Sequence, residues 1–353
     1  MPKKIARGWK IAALLSTLTV SVTGLHIALN TNLLGSDQLC DGRLSSKSVE
    51  AAFSKSGRLL GHDGPTSSSE DTLLFDCTIV SKSAIPGADD QELFVSATRN
   101  RADFPFTDNG GPKPATIAFF SGEATGAVVD DDRAWVWLPA SCATDEAAVV
   151  RGDIRSGQVT QTSRMALVRL LVDTANRLAE RTGCSDKRLQ APTALEPPPE
   201  TRTADPRKLC GIKGLSLPAT ATDPGAKIQE TVPEEPKPMW SCSVVLDEEA
   251  EPSPSESDYL TYSVVQDPVI LAGLKKSDEF SEASPIPGWQ ASGIDDMHVV
   301  ADCSGTETYF AMGLGQQYFQ SREKPQSPKS ASLFRTFTDK VGAAFGCTAI
   351  TDS

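Results

Sequence analysis

Phe75-Asp76-Cys77-Thr78-Ile79-Val80 has a counterpart later in the chain, Trp240-Ser241-Cys242-Ser243-Val244-Val245. In each stretch an aromatic residue stands two positions before a cysteine, and β-branched residues typical of a strand follow it. The other cysteines have matching neighbours too: Leu39-Cys40 and Leu209-Cys210, Ala140-Ser141-Cys142 and Ala301-Asp302-Cys303, Gly183-Cys184 and Gly346-Cys347. Successive cysteines are 37, 65 and 42 residues apart in the first set and 32, 61 and 44 in the second. A unit of about 140 residues is the size of a domain, so the sequence predicts a duplicated domain.

The N-terminal region predicts a membrane anchor. Residues 11–29 contain no Asp, Glu, Lys or Arg, and a helix of this length spans about 28 Å, close to the hydrocarbon thickness of a bilayer. The charged residues before this segment are all basic and lie within residues 1–10. Because basic flanks stay in the cytoplasm, we expect residues 1–10 to be a cytoplasmic tail, residues 11–29 to cross the cell membrane and the bulk of the chain to be extracytoplasmic.

Two alternatives to the anchor also place the chain outside the cytoplasm. A cleaved secretory signal would yield a secreted protein, although no clear Ala-x-Ala cleavage site follows the apolar segment. A lipoprotein signal would attach lipid at Cys40, but the bulky and charged approach Ser36-Asp37-Gln38-Leu39 disfavours this. The uncleaved anchor is the favoured interpretation, and cleavage stays open.

Eight cysteines outside the cytoplasm predict disulfide bonds. No C-x-x-C motif occurs, and the closest two cysteines, Cys184 and Cys210, are 26 residues apart, which argues against a zinc site or a thioredoxin-type redox site. Bridges confined to each copy, with the same pattern in both, leave three arrangements. The favoured arrangement joins first to second and third to fourth: Cys40–Cys77, Cys142–Cys184, Cys210–Cys242 and Cys303–Cys347.

The predicted fold class is α+β, in which each copy is an antiparallel sheet covered on one face by helices. Copy 1 takes residues 30–189, copy 2 takes residues 208–353, and the proline-rich residues 190–207 are predicted to be a semi-rigid linker. Strands are predicted at residues 75–80, 92–98, 116–120 and 135–138 in copy 1, and at 241–246, 259–265, 298–301 and 308–314 in copy 2.

A long amphipathic helix is predicted near the end of each copy, at residues 160–181 and 330–345, and a short helix at 45–53. Gly183 is placed to stop the first long helix. The apolar stripes are Leu167, Val168, Leu171, Ala175 and Leu178 in the first helix and Phe334, Phe337, Val341, Ala344 and Phe345 in the second.

The charge of the chain excludes one class of partner. From residue 30 onward there are 30 basic and 46 acidic side chains, which gives a net charge of −16. A body this acidic repels the phosphates of nucleic acids, and no compact cluster of Lys and Arg interleaved with aromatic residues offsets this. We therefore expect no nucleic-acid binding.

Few residues are suited to catalysis. Apart from His26 in the apolar segment, the histidines are His62, in Gly61-His62-Asp63-Gly64, and His298, which follows Asp295-Asp296-Met297. We expect His62 to be an exposed turn residue and His298 to be a strand-edge residue near solvated aspartates, although an Asp–His pair could orient an imidazole. No hydrolase, zinc-protease or nucleotide-binding motif occurs, so no catalytic, cofactor-binding or metal-binding residue is predicted.

Two further clusters could bind a ligand. Asp130-Asp131-Asp132 could attract calcium, but the ligand spacing of an EF-hand is absent, so we expect a charged turn. Trp135 and Trp137 point to the same side of a predicted strand. Core packing is the expectation for this pair, whereas an exposed pair would suit a ligand or a glycan.

Leu39-Cys40, the short helix and Phe75-Asp76-Cys77 form a pattern that resembles secreted proteins and lipoproteins of actinobacteria, a group of uncharacterised function. The resemblance covers the cysteine positions from residue 40 to residue 347, and the chain departs from it by lacking a lipobox. It implies no activity.

The expected function is that of a membrane-anchored extracytoplasmic binding or interaction protein of the cell envelope, with a protein partner and no enzymatic activity. The alternatives are an envelope hydrolase with a nonstandard carboxylate site and a purely structural envelope component. A deep pocket that joins two carboxylates would favour the hydrolase, and a flat apolar patch on both copies would favour partner binding.

Overall fold

The computed structural model describes residues 30–33, 35–65, 71–83, 89–107, 112–156, 159–185, 187–221, 227–247, 258–321, 327–347 and 350. The predicted cytoplasmic tail and membrane span, residues 1–10 and 11–29, lie outside the described residues. Within the described ranges, no helix has the length and apolar character needed to cross a bilayer.

Antiparallel sheets dominate the described residues. The strands are β1 Gln38–Leu39, β2 Leu44–Ser45, β3 Arg58–Asp63, β4 Phe75–Lys82, β5 Gln91–Asn100, β6 Ala118–Phe120, β7 Gly126–Val129, β8 Arg133–Trp137, β9 Ala147–Ser156, β10 Thr201–Thr203, β11 Lys227–Thr231, β12 Met239–Asp247, β13 Leu260–Val265, β14 Ala291–Asp295, β15 His298–Cys303 and β16 Thr306–Leu314. Sheet one has the order β3-β4-β5-β9-β8-β7-β6, and sheet two has the order β10-β11-β12-β13-β16-β15-β14. All neighbouring strands in both sheets are antiparallel.

Five α-helices accompany the sheets in the described part of the chain: α1 Ser46–Ala52, α2 Gln161–Thr182, α3 Pro268–Leu274, α4 Gln316–Ser321 and α5 Ser330–Ala344. Helix α2 packs on β8 and β9 and also contacts α1, while α5 contacts β16. Antiparallel sheets accompanied by helices confirm the α+β prediction at this level of detail.

Helix α2 forms where the sequence predicts it, displaced by one residue at each end. Thr160 caps its start, because Thr160 Oγ1 accepts a hydrogen bond from the backbone N–H of Ser163 at 3.1 Å. Gly183 ends the helix with a φ of 64°, a left-handed conformation that glycine adopts without strain. The predicted apolar stripe is buried, and a Cβ at Gly152 of β9 would lie 2.8 Å from Leu167 Cδ1. The helix thus touches the backbone of the sheet.

Helix α5 matches the helix predicted at residues 330–345, but its apolar face differs at the end. The first three residues of the predicted stripe are buried, and so is Leu333, which the prediction left out. Ala344 is exposed, so its place in the stripe is wrong. The helix ends at this residue, and the ring of Phe345 turns onto Trp240, with 6.1 Å between the ring centroids.

Four disulfide bonds tie the helices and loops to the sheets: Cys40–Cys77, Cys142–Cys184, Cys210–Cys242 and Cys303–Cys347. These are the pairs favoured from the sequence, and no cysteine is free. The first bond of the first half joins Cys40, before β3, to β4, and that of the second half joins Cys210, between β10 and β11, to β12. The second bond fastens the segment that follows the long helix to the β8–β9 connection or to β15.

The two sheets pack against each other through the faces that do not carry α2 and α5. Alternate residues of each strand supply the two faces, so β8 sends Ala134 and Val136 toward α2 and both of its tryptophans toward sheet two. The apolar cluster between the sheets includes Phe104, Trp135, Trp137, Leu274, Val300 and Tyr309.

Polar contacts cross the same interface. Asp267 is 1% exposed and caps the start of α3 by accepting hydrogen bonds from two backbone N–H groups of that helix. Its carboxylate also accepts a hydrogen bond from Thr125 Oγ1 at 2.9 Å and another from Ser121. The Tyr309 hydroxyl donates to the fully buried Asp103 at 3.2 Å. These bonds fix how the two sheets sit on each other.

Part of the predicted linker belongs to a sheet. Residues 190–207 contain β10, which pairs with β11 and forms the edge of sheet two. All three residues of β10 are polar and exposed, so no apolar alternation marks the strand in the sequence. The segment is thus more than a spacer between the halves.

Candidate functional site

A cleft of about 650 Å³ opens where the ends of the two sheets meet the proline-rich segment. Strand β6 and the segment before it contribute residues 114 and 117–119, and the proline-rich segment contributes residues 196–202. The chain before β12, with the start of that strand, completes the lining from residue 232 to residue 241. Ligand sites of this volume are common at junctions between structural units.

The floor of the cleft is apolar and held in place by core packing. Ile117, Val232 and Met239 line it, and each is at most 4% exposed. Phe119 of β6 also lines the cleft, and its ring stacks on that of Phe106 at a centroid distance of 5.4 Å. The floor is therefore held by contacts within the chain.

Two edge strands border the cleft. In the described part of the chain, β6 pairs only with β7 and β10 pairs only with β11. The outer backbone groups of both strands therefore face no other strand. Ala118 of β6 and Thr201 of β10 are among the lining residues. An extended peptide can hydrogen-bond to an open edge of this kind.

The two basic side chains that line the cleft are already neutralised. Lys237 forms an ion pair with Glu196. Arg202 forms one with Glu230, where Nε lies 2.8 Å from Oε1. Glu230 is only 2% exposed and also accepts a hydrogen bond from the backbone N–H of Cys210 at 2.6 Å, which holds the pair in position.

Three acidic side chains at the cleft have no such partner. Glu200, Glu234 and Glu235 line it and are exposed, and none forms an ion pair with another described residue. A positively charged group bound between them would be attracted by all three carboxylates. The cleft therefore combines an apolar floor, open strand edges and a negative rim.

His62 is exposed, as predicted, but it lies in β3 and not in a turn. It stands opposite Thr78 in the ladder that joins β3 to β4 over six residue pairs. The glycines on either side of His62-Asp63 suggest a turn, and the continuous pairing with β4 overrides that local preference.

His298 begins β15 close to the partly exposed Asp295, as predicted, and its own side chain is buried. It is 8% exposed, and its Nδ1 lies 2.6 Å from Asp295 Oδ1. The tight connection between β14 and β15 places these two residues opposite each other, and the imidazole stacks on the Tyr309 ring at 6.5 Å. Nε2 is buried and has no hydrogen-bond partner among the described residues. The Asp–His pair forms, but its free nitrogen does not face the cleft residues or solvent.

The Asp295–His298 pair lowers the pKa of the Asp295 carboxyl group. Burial raises the pKa of Asp295, but the hydrogen bond and charge of His298 and the N–H of Met297 lower it more, so the pKa is below 3.8. Because the folded pKa is below the unfolded one, the stabilisation is complete above about pH 4 and is lost as the pH falls through the folded pKa.

Replacing His298 with Ala is expected to raise the pKa of Asp295 toward 3.8, because the bond and the charge are both removed. Carbon-detected NMR titration of the carboxyl group measures this. Asp71 is the control: burial raises its pKa and a hydrogen bond from Arg99 lowers it below 3.8, and His298 takes no part. An Asp295 pKa that stays low in the variant would show that the pair does not hold it.

Asp130-Asp131-Asp132 forms the turn between β7 and β8. Arg133 forms an ion pair with Asp130, and Arg164 of α2 forms one with Asp131. The arginines pair with these carboxylates, so the expectation of a charged turn is confirmed.

Two clusters in the described residues have the spacing of metal ligands: Cys40, Asp63 and Cys77, and Cys210, Glu230 and Cys242. In both clusters the cysteines are joined in a disulfide bond. A disulfide sulfur carries no thiolate charge, so neither cluster supplies the donors that zinc requires.

Trp135 and Trp137 are 4% and 2% exposed and lie between the two sheets. Their rings meet edge to face at 6.2 Å. The expectation of core packing is confirmed, and the surface that the pair would offer to a ligand is covered by sheet two.

The sequence did not single out the cleft residues. The sequence predicts only a spacer at Pro197-Pro198-Pro199, although Glu196 and Glu200 flank it directly. A rigid proline run between acidic residues, followed by Glu234-Glu235 beside another proline, was the available signal. The edge strands could not be seen in the sequence, because their position depends on the order of strands in the folded sheets.

No protein-family model matches the chain, and no curated protein or solved structure shows significant similarity to it.

Proposed function

We propose that this protein is a membrane-anchored, extracytoplasmic binding protein and that its cleft holds an extended segment of an envelope protein rich in Lys or Arg. The observation that carries the proposal is the negative rim, where three exposed glutamates lack ion-pair partners in the described residues. Cationic side chains complement that rim, and apolar side chains alternating with them would face the floor.

The open edges of β6 and β10 support an extended ligand rather than a helical one. Strand addition to an edge satisfies backbone groups that would otherwise face water, and it places every second side chain on the same side. β6 and β10 are each three residues long, so the edge suits a short peptide segment.

A binding role explains the cleft better than hydrolysis does. A carboxyl that acts as a general acid is shielded from water so that it stays protonated, as in most glycosidase sites. Glu200, Glu234 and Glu235 are instead exposed at the mouth. They are suited to attracting a charged partner.

We further propose that the two halves derive from one duplicated domain. The first cysteine of each half, Cys40 and Cys210, has a positive φ, 53° and 57°. Six strands in each sheet follow the same succession, β3-β4-β5-β9-β8-β7 and β11-β12-β13-β16-β15-β14. The two edge strands of the cleft, β6 and β10, lie outside this shared set, whereas β12, which also lines the cleft, belongs to it.

A charged peptide probe tests the proposed site. The full chain in nanodiscs would be titrated with a fluorescent hexapeptide of alternating Val and Lys, and binding followed by anisotropy. We expect binding that weakens with added salt and that falls about tenfold in the variant Glu200→Gln/Glu234→Gln/Glu235→Gln, since each exposed pair contributes up to about 1 kcal/mol.

Matched controls make this result specific. Glu146, Glu180 and Glu282 are also exposed and lie outside the cleft, so their triple change to Gln should leave the affinity unaltered. A peptide of alternating Val and Glu should not bind. Equal affinity of the cleft variant and the native chain, or the absence of binding by the Lys peptide, would refute the cationic-segment proposal.

A further inference from the structure

The chain that follows the predicted membrane span is fastened to sheet one without a flexible stalk. Asn30 Oδ1 accepts a hydrogen bond from the Ser83 hydroxyl, just after β4, at 2.9 Å. Asn32 Oδ1 accepts one from the backbone N–H of Leu59 in β3 at 3.4 Å. If residues 11–29 cross the bilayer, this end of sheet one lies at the membrane surface.

An exposed apolar side chain lies at the same end. Leu33 is 75% exposed, and only one other large apolar side chain in the described part of the chain, Phe319, is comparably exposed. Leu33 follows Asn30 and Asn32, which bond to the β3–β4 end of sheet one. It therefore lies close to the point where the predicted span enters the bilayer. An apolar side chain in that position can enter the interfacial region of the lipid.

Three basic side chains lie at this end of a molecule that is acidic as a whole. Arg58 and Lys82 stand directly opposite each other at the end of the β3–β4 ladder, and Lys55 precedes β3 by a short turn. All three are exposed, and none forms an ion pair with another described residue. Asp89 and Asp90 lie at the same end, directly before β5, whose Gln91 pairs with Ser81.

The arrangement of Arg58 and Lys82 suggests a partner outside the chain. Like charges placed opposite each other on neighbouring strands destabilise a sheet. An anionic membrane surface offsets the repulsion between the two side chains, because anionic lipid headgroups attract each of them.

We propose that Leu33, Lys55, Arg58 and Lys82 form a membrane-contact surface that binds anionic lipid headgroups and holds sheet one upright on the bilayer. The proposal rests on the membrane anchor of the proposed function. It does not depend on what the cleft binds. In this orientation the membrane-contact surface faces the lipid. The acidic remainder of the molecule faces solvent and partners.

Photo-crosslinking to lipid tests the contact surface. The full chain carrying benzoylphenylalanine in place of Leu33 would be reconstituted into phosphatidylcholine vesicles with or without phosphatidylglycerol, irradiated and examined by mass spectrometry. We expect lipid adducts whose yield rises with phosphatidylglycerol and falls roughly threefold or more in the variant Arg58→Gln/Lys82→Gln. The same photoreactive residue at Phe319 should give no lipid adduct.

The controls separate failure of this proposal from failure of the anchor. Lys208 and Lys213 are exposed basic residues of the second half, and their change to Gln should leave the adduct yield at position 33 unchanged. Alkaline carbonate extraction reports the anchor: chain released by carbonate overturns the anchor and the contact surface together. Chain retained in the vesicles without adducts at position 33, or with a yield indifferent to phosphatidylglycerol and to Arg58 and Lys82, overturns the contact surface alone.

Discussion

Replacing Trp137 with Ala is expected to lower the free energy of unfolding by about 3–5 kcal/mol. The side chain is 2% exposed and lies in the apolar cluster between the sheets, 6.1 Å from the ring of Phe104 and 6.2 Å from that of Trp135. Its removal leaves a cavity that two packed sheets cannot close, since polar bonds at Asp267 and Asp103 hold them at a fixed spacing.

Urea unfolding of the native chain and the Trp137→Ala variant measures this loss. Phe319→Ala is the matched control, because Phe319 is an aromatic residue that is 53% exposed, and its loss should be about 1 kcal/mol or less. Trp137→Phe should fall between the two, since it keeps an aromatic ring and removes an indole N–H that is buried without a partner in the described residues. A Trp137→Ala loss as small as that of the control would mean that the sheets do not pack through this face.

Removing the Cys210–Cys242 bond by changing both residues to Ala is expected to cost about 4 kcal/mol of stability. The bond closes a loop between residues 32 positions apart, and the open chain gains conformational freedom mainly in the unfolded state. Both cysteines are buried, at 2% and 0% exposure, so the variant also loses some packing. Unfolding by urea without reductant gives the value.

The equivalent bond in the other half provides the comparison. Cys40 and Cys77 are 37 positions apart, and changing both to Ala should cost a similar amount, because loop entropy varies only slowly with length. A double variant as stable as the native chain would contradict the stabilising role assigned to the bond.

The features predicted well from the sequence are those with local signals. Helix α2 follows from its apolar spacing, the cap at Thr160 and the stop at Gly183, all of which act within a few residues. The two matching sets of cysteines reduce the disulfide arrangements to three, and the favoured one is the one observed. The alternating strands β4 and β12 show the same kind of signal.

The cleft and the His298 environment depend on long-range contacts and were not visible. β10 has three exposed polar residues and forms only because β11 offers its edge. The sequence places His298 at a strand edge near aspartates, but its burial depends on the Asp295 bond and on the packing of β15 beside Tyr309. Glu200 and Glu234 are 34 residues apart in sequence and line one cleft only after the sheets are packed.

Amide hydrogen exchange with and without the Val-Lys hexapeptide, read out by mass spectrometry, tests the proposed cleft most directly. At a saturating concentration of the peptide, the amides of β6 and β10 should exchange more slowly, since strand addition protects edge N–H groups. β3, the opposite edge of sheet one, should exchange at an unchanged rate. Unchanged exchange at β6 and β10, or slowing confined to β3, would contradict the account.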